Sequence, residues 1–427
     1  MRELVAGLTT FGAMAYIMAV NPAILAMAGL DRHDMIMTTI AAAVIGTLLM
    51  ALWANLPIAL APAMSSNIVF AQIVVVHMGV PPRVAFTIVL LSGLAFTLLS
   101  LTNSRGRIIQ GFPEPIIDGI RFAIGAFIAR IGMTTGGLAI PSHEGLAFGS
   151  MANPTVLLCL GGLVMALVLT RARVPAAMLL TIVTVTVLGA FIPGPDGHTI
   201  THIPARAAEW PRYPTHMLFP FDFHGFADHL LVLVPVTLYF FLSDFFDATG
   251  TMLAVTRRAG LEREDGQPVL GRAAFTSDGA ASVIGSSLGT CTVSAYLESL
   301  VGVEAGGRTG LVGVVVAVLF ALSSFFWPLI TAIPAVATAP VLIVVGLDML
   351  SGLPLVSRST LTEMMAPLLM VVITLLTGNF MISLACGLLL HTALMVAGRQ
   401  WRGLTPMLLG LDAVFLMFLV LETRMQS

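Results

Sequence analysis

The chain has 427 residues, 57% of them hydrophobic and only 10% charged, with a mean hydropathy of +0.98. Soluble domains carry about 25% charged residues, so too little polar surface remains here to coat a water-soluble globule. The formal net charge of -2 argues against a nucleic-acid partner, which demands a concentrated basic surface to neutralise phosphates.

Apolar runs of roughly 18 to 25 residues recur along the whole chain, each long enough to cross a hydrocarbon core of about 30 Å. Met1, Arg2 and Glu3 lead into the first run without a small-residue cleavage site, so this span is expected to be retained. Spans are predicted near 8–30, 36–56, 60–80, 84–102, 116–138, 153–170 and 174–192. A polar, Pro- and His-rich connection follows from Pro193 to Asp228. Further spans are predicted near 229–256, 272–290, 294–305, 309–327, 333–350, 361–376 and 378–397. This divides the chain into a first repeat (1–192), the connection (193–228), a second repeat (229–397) and a C-terminal turn with an apolar helix (398–427). That helix, 404–421, either lies along the interface or makes an additional crossing. Cys159, Cys291 and Cys386 lie in or beside apolar segments, and no disulfides are expected.

Every basic residue is Arg, and the distribution of arginines tests the span count. With the N-terminus inside, the cytoplasmic loops hold Arg105, Arg107, Arg171, Arg173, Arg257, Arg258, Arg263, Arg272, Arg308, Arg358, Arg399 and Arg402. The opposite side holds Arg32, Arg83, Arg130, Arg206 and Arg212. One span more or fewer in the first half would destroy this asymmetry, so about fourteen spans with a cytoplasmic N-terminus are favoured. Two homologous halves with an odd number of spans must be inverted relative to each other, the plan of many secondary transporters. Pro113–Met133 and Pro334–Met349, both apolar and broken by Gly near the end, can be laid against each other.

The third span of each half is unusual. Leu60–Asn67 and Gly289–Ser299 are short, polar and rich in small residues, unlike a lipid-facing helix. Backbone that leaves helical geometry at membrane depth must be buried or line a cavity, and broken segments at matching positions in two halves point to a binding site. In the eighth span Asp244 and Asp247 share one helical face. An Asp at a helix centre costs roughly 2.5 to 3.5 kcal/mol to insert, so the pair either serves a wet cavity or makes a structural hydrogen bond. Glu298 stands where an extended stretch ends and a short helix begins, a place to accept ligand N–H groups or simply to cap its own helix. Asn67 offers both donor and acceptor, for a ligand or for helix packing. Ser66, Thr292 and Ser294 are further candidate polar contacts from the broken segments. Glu304 reads as a surface partner of Arg308, and His391 as a core histidine. Gly306–Gly310 lacks the P-loop lysine. No metal-spaced His/Asp set or activated nucleophile suggests an enzyme, and no metal or cofactor is expected.

With those residues in view, the chain resembles the AzgA-like purine permeases of the nucleobase–ascorbate transporter superfamily. Four stretches carry the likeness: Leu8-Thr-Thr-Phe with Met14–Leu25; Ala59–Asn67; Asp244-Phe-Phe-Asp-Ala-Thr-Gly250; and Gly289–Ser299 running into Gly306–Gly310. The resemblance implies an all-α, fourteen-span fold with half-helices in spans 3 and 10. It implies a core of spans 1–4 and 8–11 and a gate of spans 5–7 and 12–14. It further implies proton-coupled uptake of adenine, guanine or hypoxanthine across the cytoplasmic (inner) membrane, by a homodimer. By motif position the substrate-site roles fall on Asn67, Asp244, Asp247 and Glu298, with the three acids also the proton-coupling candidates. The sequence departs from the family's Gly-rich run at Ala63-Met-Ser-Ser-Asn67, which adds side chains beside the site. Another heterocycle such as uracil or xanthine, or an anion on the same fold, is the alternative cargo.

Overall fold

The computed structural model describes residues 1–102, 113–142, 145–194, 197–261, 270–351, 361–400 and 404–426. Arg105, Arg107, Arg263, Arg358 and Arg402, used above to orient the chain, lie outside the described residues. Most predicted apolar runs fall on helix, while those at 60–80 and 294–305 begin in short strands. Among the described residues, seven stretches are long and apolar enough to cross a bilayer, from Arg2–Ala26 to Phe380–Ala397, and five shorter apolar helices accompany them. Some helices begin at side-chain caps. The carboxylate of Asp31 accepts from Asp34 N at 3.1 Å, the Asn153 side chain accepts from Thr155 N at 2.9 Å, and Asn379 accepts from Met381 N at 3.0 Å.

The two broken spans pair with each other. Strand β1 (Leu60–Pro62) runs antiparallel to β2 (Val293–Ala295), with Leu60 opposite Ala295, Ala61 opposite Ser294 and Pro62 opposite Val293. Ala63 N donates to Thr292 O at 2.8 Å and Tyr296 N to Ala59 O at 3.0 Å, extending the ladder at both ends. Each strand is followed by a short helix, α1 (Met64–Ile68) after β1 and α2 (Ser299–Glu304) after β2. A two-stranded ribbon has free edges, which lipid would not tolerate. Side-chain hydroxyls from two neighbouring helices satisfy part of them. Thr47, on the helix Arg32–Leu49, accepts from Leu60 N at 2.9 Å and donates to Leu60 O at 2.8 Å. Ser282, on the helix Arg272–Ser287, makes the same clasp on Val293, at 3.1 Å to N and 2.9 Å to O. Small residues let these helices approach: a Cβ on Gly46 would lie 2.9 Å from Val293 Cγ1, and one on Gly285 2.5 Å from Val293 Cγ2.

The helices over 2–101 and 230–323 surround this ribbon. A second bundle forms from Glu114–Thr135, Pro154–Arg171, Ala177–Gly189, Ala335–Ser351, Leu361–Thr377 and Phe380–Ala397. Its centre is the contact of Glu114–Thr135 with Ala335–Ser351, the segments matched by sequence. Glycines bring the two backbones together: a Cβ on Gly125 would lie 2.8 Å from Gly346 O, and one on Gly132 2.9 Å from Ala339 O. The C-terminal helix Pro406–Gln426 packs on Phe380–Ala397 and Leu230–Arg258 and buries Leu408, Phe415 and Phe418. The connection is tied down over the ribbon-centred bundle, with Tyr213 Oη donating to Leu288 O at 2.6 Å and Phe219 N to Ser287 O at 2.7 Å.

Candidate functional site

The ribbon carries a short helix after each strand, and the predicted polar residues gather around it. Asn67, on α1, is fully buried and its side-chain N–H donates to Asn21 Oδ1. Asn21 in turn donates to Thr39 Oγ1 at 2.7 Å. Glu298, at the start of α2, accepts a hydrogen bond from the Tyr16 hydroxyl. Both short helices are therefore tied to the first span, at Asn21 and Tyr16, beside the helix-interior Pro22 that removes a backbone donor there.

Asp244 and Asp247 lie on the helix Leu230–Arg258 but have different surroundings. Asp244 is 2% exposed and accepts from Ser282 Oγ at 2.8 Å. Asp247, about one turn further along, is exposed. It lies within electrostatic range of Asp244, Asp278 and Glu298, so the three predicted acids share one neighbourhood. Ser294 points back from the ribbon to Asp278, whose carboxylate also accepts from Ala295 N at 2.9 Å. Ser294 thus belongs to the support of the site, one layer behind its surface.

Four buried side-chain atoms from the predicted set have no partner among the described residues: Ser66 Oγ, Asn67 Oδ1, Asp244 Oδ1 and Thr292 Oγ1. Leaving such groups unpaired costs about 1 to 3 kcal/mol each. They come from α1, from the residue preceding β2 and from the eighth span, the elements that converge on the ribbon.

Five functional candidates escaped the sequence reading: Tyr16, Asn21, Asp278, Arg121 and Asp348. Arg121, on Glu114–Thr135, interacts electrostatically with Asp247 across the boundary between the two bundles. Asp348, on Ala335–Ser351, does so with Glu298 and Tyr16. Both are exposed, as are Leu297 and Leu347, so each bundle contributes exposed residues near the acids. A polar residue inside an apolar run is the signal that marks Arg121 and Asp348 in the sequence. The pairing of Glu304 with Arg308 is corrected: Glu304 accepts from Arg258 Nη2 at 2.8 Å, while Arg308 Nη1 donates to Val303 O and Gly307 O, each at 2.7 Å. The turn curls the Arg308 side chain back on its own backbone, leaving Glu304 to the neighbouring helix end. His391 is buried on Phe380–Ala397, away from the ribbon.

Residues 1–386 match the model of a family described as "Permease family". The chain is 36% identical over 420 residues to the guanine/hypoxanthine permease PbuO of Bacillus subtilis, covering 97% of this chain and 96% of the relative. It is 34% identical over 419 residues to the adenine permease AdeP of Escherichia coli, covering 98% and 92%. The solved transmembrane domain of a cyanobacterial bicarbonate transporter, BicA, superposes with a TM-score of 0.66 at 17% identity, over 90% of this chain and 96% of that one. The murine Slc26a9 anion transporter, in the inward-facing state, superposes with a TM-score of 0.65 at 13% identity, over 94% and 68%.

Proposed function

The chain belongs to the Permease family as a multi-pass membrane transporter and not an enzyme, and on that premise we propose that it takes up a purine nucleobase by proton-coupled alternating access. The observation that carries this reading is the set of unpartnered polar atoms around the ribbon, Ser66 Oγ, Asn67 Oδ1, Asp244 Oδ1 and Thr292 Oγ1, beside the Glu298 carboxylate. A purine presents ring N–H donors and ring nitrogen or carbonyl acceptors on its edges. Glu298 accepts from the donors, and Ser66 and Thr292 hydroxyls, which both give and take, match either edge. The names of PbuO and AdeP, both purine permeases, favour the same class of cargo. Asp244 and Asp247 carry the coupling proton, because a charge left in a site that must cross the membrane barrier is costly unless neutralised.

In this reading the arginine-rich side is cytoplasmic, and the exposed Asp247 is reached from it. The ribbon-centred bundle acts as the core that carries the site. The bundle of Arg121 and Asp348 acts as the gate against which it slides, and the membrane is the inner one. The BicA and Slc26a9 names speak for an anion on the same fold, but four carboxylates around the ribbon, Asp244, Asp247, Asp278 and Glu298, repel one.

The test is uptake of radiolabelled adenine, guanine, hypoxanthine, uracil and bicarbonate into proteoliposomes, with and without an inward proton gradient. Accumulation of a purine only when the gradient is present is the expected result. Purine uptake indifferent to the gradient removes the coupling, and uracil or bicarbonate uptake without purine uptake removes the cargo.

A further inference from the structure

A cavity of about 710 Å³ lies between the connection and the stretch that follows the helix Leu311–Ser323, and it shares no residue with the site above. Its walls are His33, Trp327 and, from the connection, Arg206, Glu209, Trp210 and Arg212. Small-molecule sites occupy about 300 to 1,000 Å³, so the size suits a ligand. The connection is held in place there: Glu209 N donates to Phe325 O at 2.9 Å, and the Trp210 ring meets Phe325 edge-on with centroids 5.3 Å apart. Trp210 nevertheless stays 78% exposed. We infer that this cavity is a second binding site, on the outer side of the protein, for an oxopurine ring, as free base or nucleoside. The outer placement and the tie to cargo rest on the proposed purine uptake, whereas the recognition chemistry follows from the walls alone.

The two indoles supply stacking surface. Trp327 meets His33 with ring centroids 4.2 Å apart and planes at 74°, and Trp210 meets Phe325 at 81°. Neither indole is stacked parallel on a protein ring among the described residues, and a planar base on such a face gains about 5- to 150-fold in affinity. The polar walls select the ring. Arg212 has no hydrogen-bond or ion-pair partner among the described residues. Its planar fork matches an adjacent ring nitrogen and carbonyl, an edge that oxopurines have and adenine lacks. Arg206 and Glu209 pair at 3.8 Å with side chains 76% and 38% exposed. Water screens such a pair, so the Glu209 carboxylate stays able to accept from a ring N–H. Tryptophans also anchor proteins at membrane interfaces, but an anchor needs neither a guanidinium fork nor a carboxylate beside it. The sequence hides the site because its walls come from the first half of the chain, the connection and the second half.

The experiment is fluorine NMR of the full-length protein in detergent, labelled with fluorotryptophan and titrated with hypoxanthine, inosine, adenine and uracil. Trp210→Phe assigns the Trp210 signal, and Trp53, near the far end of the apolar stretch Arg32–Ala54, is the internal control. Hypoxanthine should move the Trp210 signal and leave that of Trp53 still, with adenine and uracil at least about fivefold weaker. The same movement with inosine shows that the ring is recognised with or without its sugar. Arg212→Gln should weaken hypoxanthine at least about fivefold at an unchanged melting temperature. The titration is repeated in Glu298→Gln, where the Trp210 response should persist. A response lost in that variant would mean that the indole reports the ribbon site from a distance, and the second site would be overturned. No movement with hypoxanthine or inosine at millimolar concentration, or equal affinity for uracil, overturns it as well. A protein that failed to take up purines while its Trp210 signal still responded would lose the proposed transport and keep this site.

Discussion

The two broken segments share one backbone plan and differ in charge. Each is a three-residue strand, entered from a loop, left by a short helix, and clasped at both N–H and C=O by one hydroxyl: Thr47 on Leu60 and Ser282 on Val293. In the first half the side chains beyond the clasp are neutral, with Asn67 leaning on Asn21. In the second half they are acidic, with Glu298 after the strand and Asp244 and Asp278 behind it. The clasps themselves differ accordingly. The Thr47 hydroxyl gives its single proton to Leu60 O, whereas the Ser282 hydroxyl has two acceptors within reach, Val293 O at 2.9 Å and Asp244 Oδ2 at 2.8 Å. Backbone symmetry builds the fold, and one repeat is loaded with the chemistry.

That asymmetry is broken most severely at Glu298. Glu298→Gln keeps the shape and loses a charge-assisted acceptor, which corresponds to about 1.5 to 3 kcal/mol, so purine uptake should fall about 10- to 150-fold in an initial-rate assay. Loss of less than about twofold would mean that the charge of the second half has no part in binding. Next in size are the clasps. Thr47→Ala and Ser282→Ala each strand a buried backbone N–H, at a cost of about 1 to 3 kcal/mol, and both should lower the apparent melting temperature. Only Ser282→Ala also removes a donor from Asp244, so only that variant should flatten the dependence of uptake on the proton gradient. Identical uptake profiles for the two would make the clasps equivalent and the shared proton irrelevant. Asn67→Ala removes a neutral hydrogen bond of about 0.5 to 1.5 kcal/mol and should weaken purine binding only about 2- to 10-fold, measured by competition against radiolabelled substrate.

Much of this comparison was legible in the residues. The apolar runs marked the helices, and Leu60–Asn67 and Gly289–Ser299 stood out because small polar residues cannot make a lipid-facing helix. Asp244, Asp247 and Glu298 stood out because carboxylates in such runs are rare. The partners were not legible. Tyr16 and Glu298 meet across 282 residues of sequence, a contact that no local period encodes. Asp278 escaped because its helix, Arg272–Ser287, is rich in Ser, Gly and Ala, and one more polar residue there raises no contrast. Arg121 was passed over inside an apolar run that carries a second arginine, Arg130, which donates to Leu375 O at 2.9 Å. The antiparallel pairing of the two strands was equally hidden, since three residues are too few to carry an alternating pattern.

The smallest predicted effect lies in the same short helix as the largest. Glu298 and Glu304 bracket Ser299–Glu304, so they differ little in sequence setting. Glu298 points to Tyr16 and the site, where removing its charge changes what a ligand meets. Glu304 lies at the far end, paired with Arg258 at 2.8 Å with both side chains more than half exposed. Solvent screens such a pair, and exposed ion pairs contribute about 0.2 to 1 kcal/mol. Glu304→Gln should therefore leave purine uptake within about twofold of the parent, and a double-mutant cycle with Arg258→Gln should give a coupling below about 1 kcal/mol that shrinks as salt is raised. A Glu304→Gln variant that lost uptake as completely as Glu298→Gln would show that the short helix acts as a unit. The distinction between a ligand-facing carboxylate and a surface one would then fail at the place where it is drawn most closely.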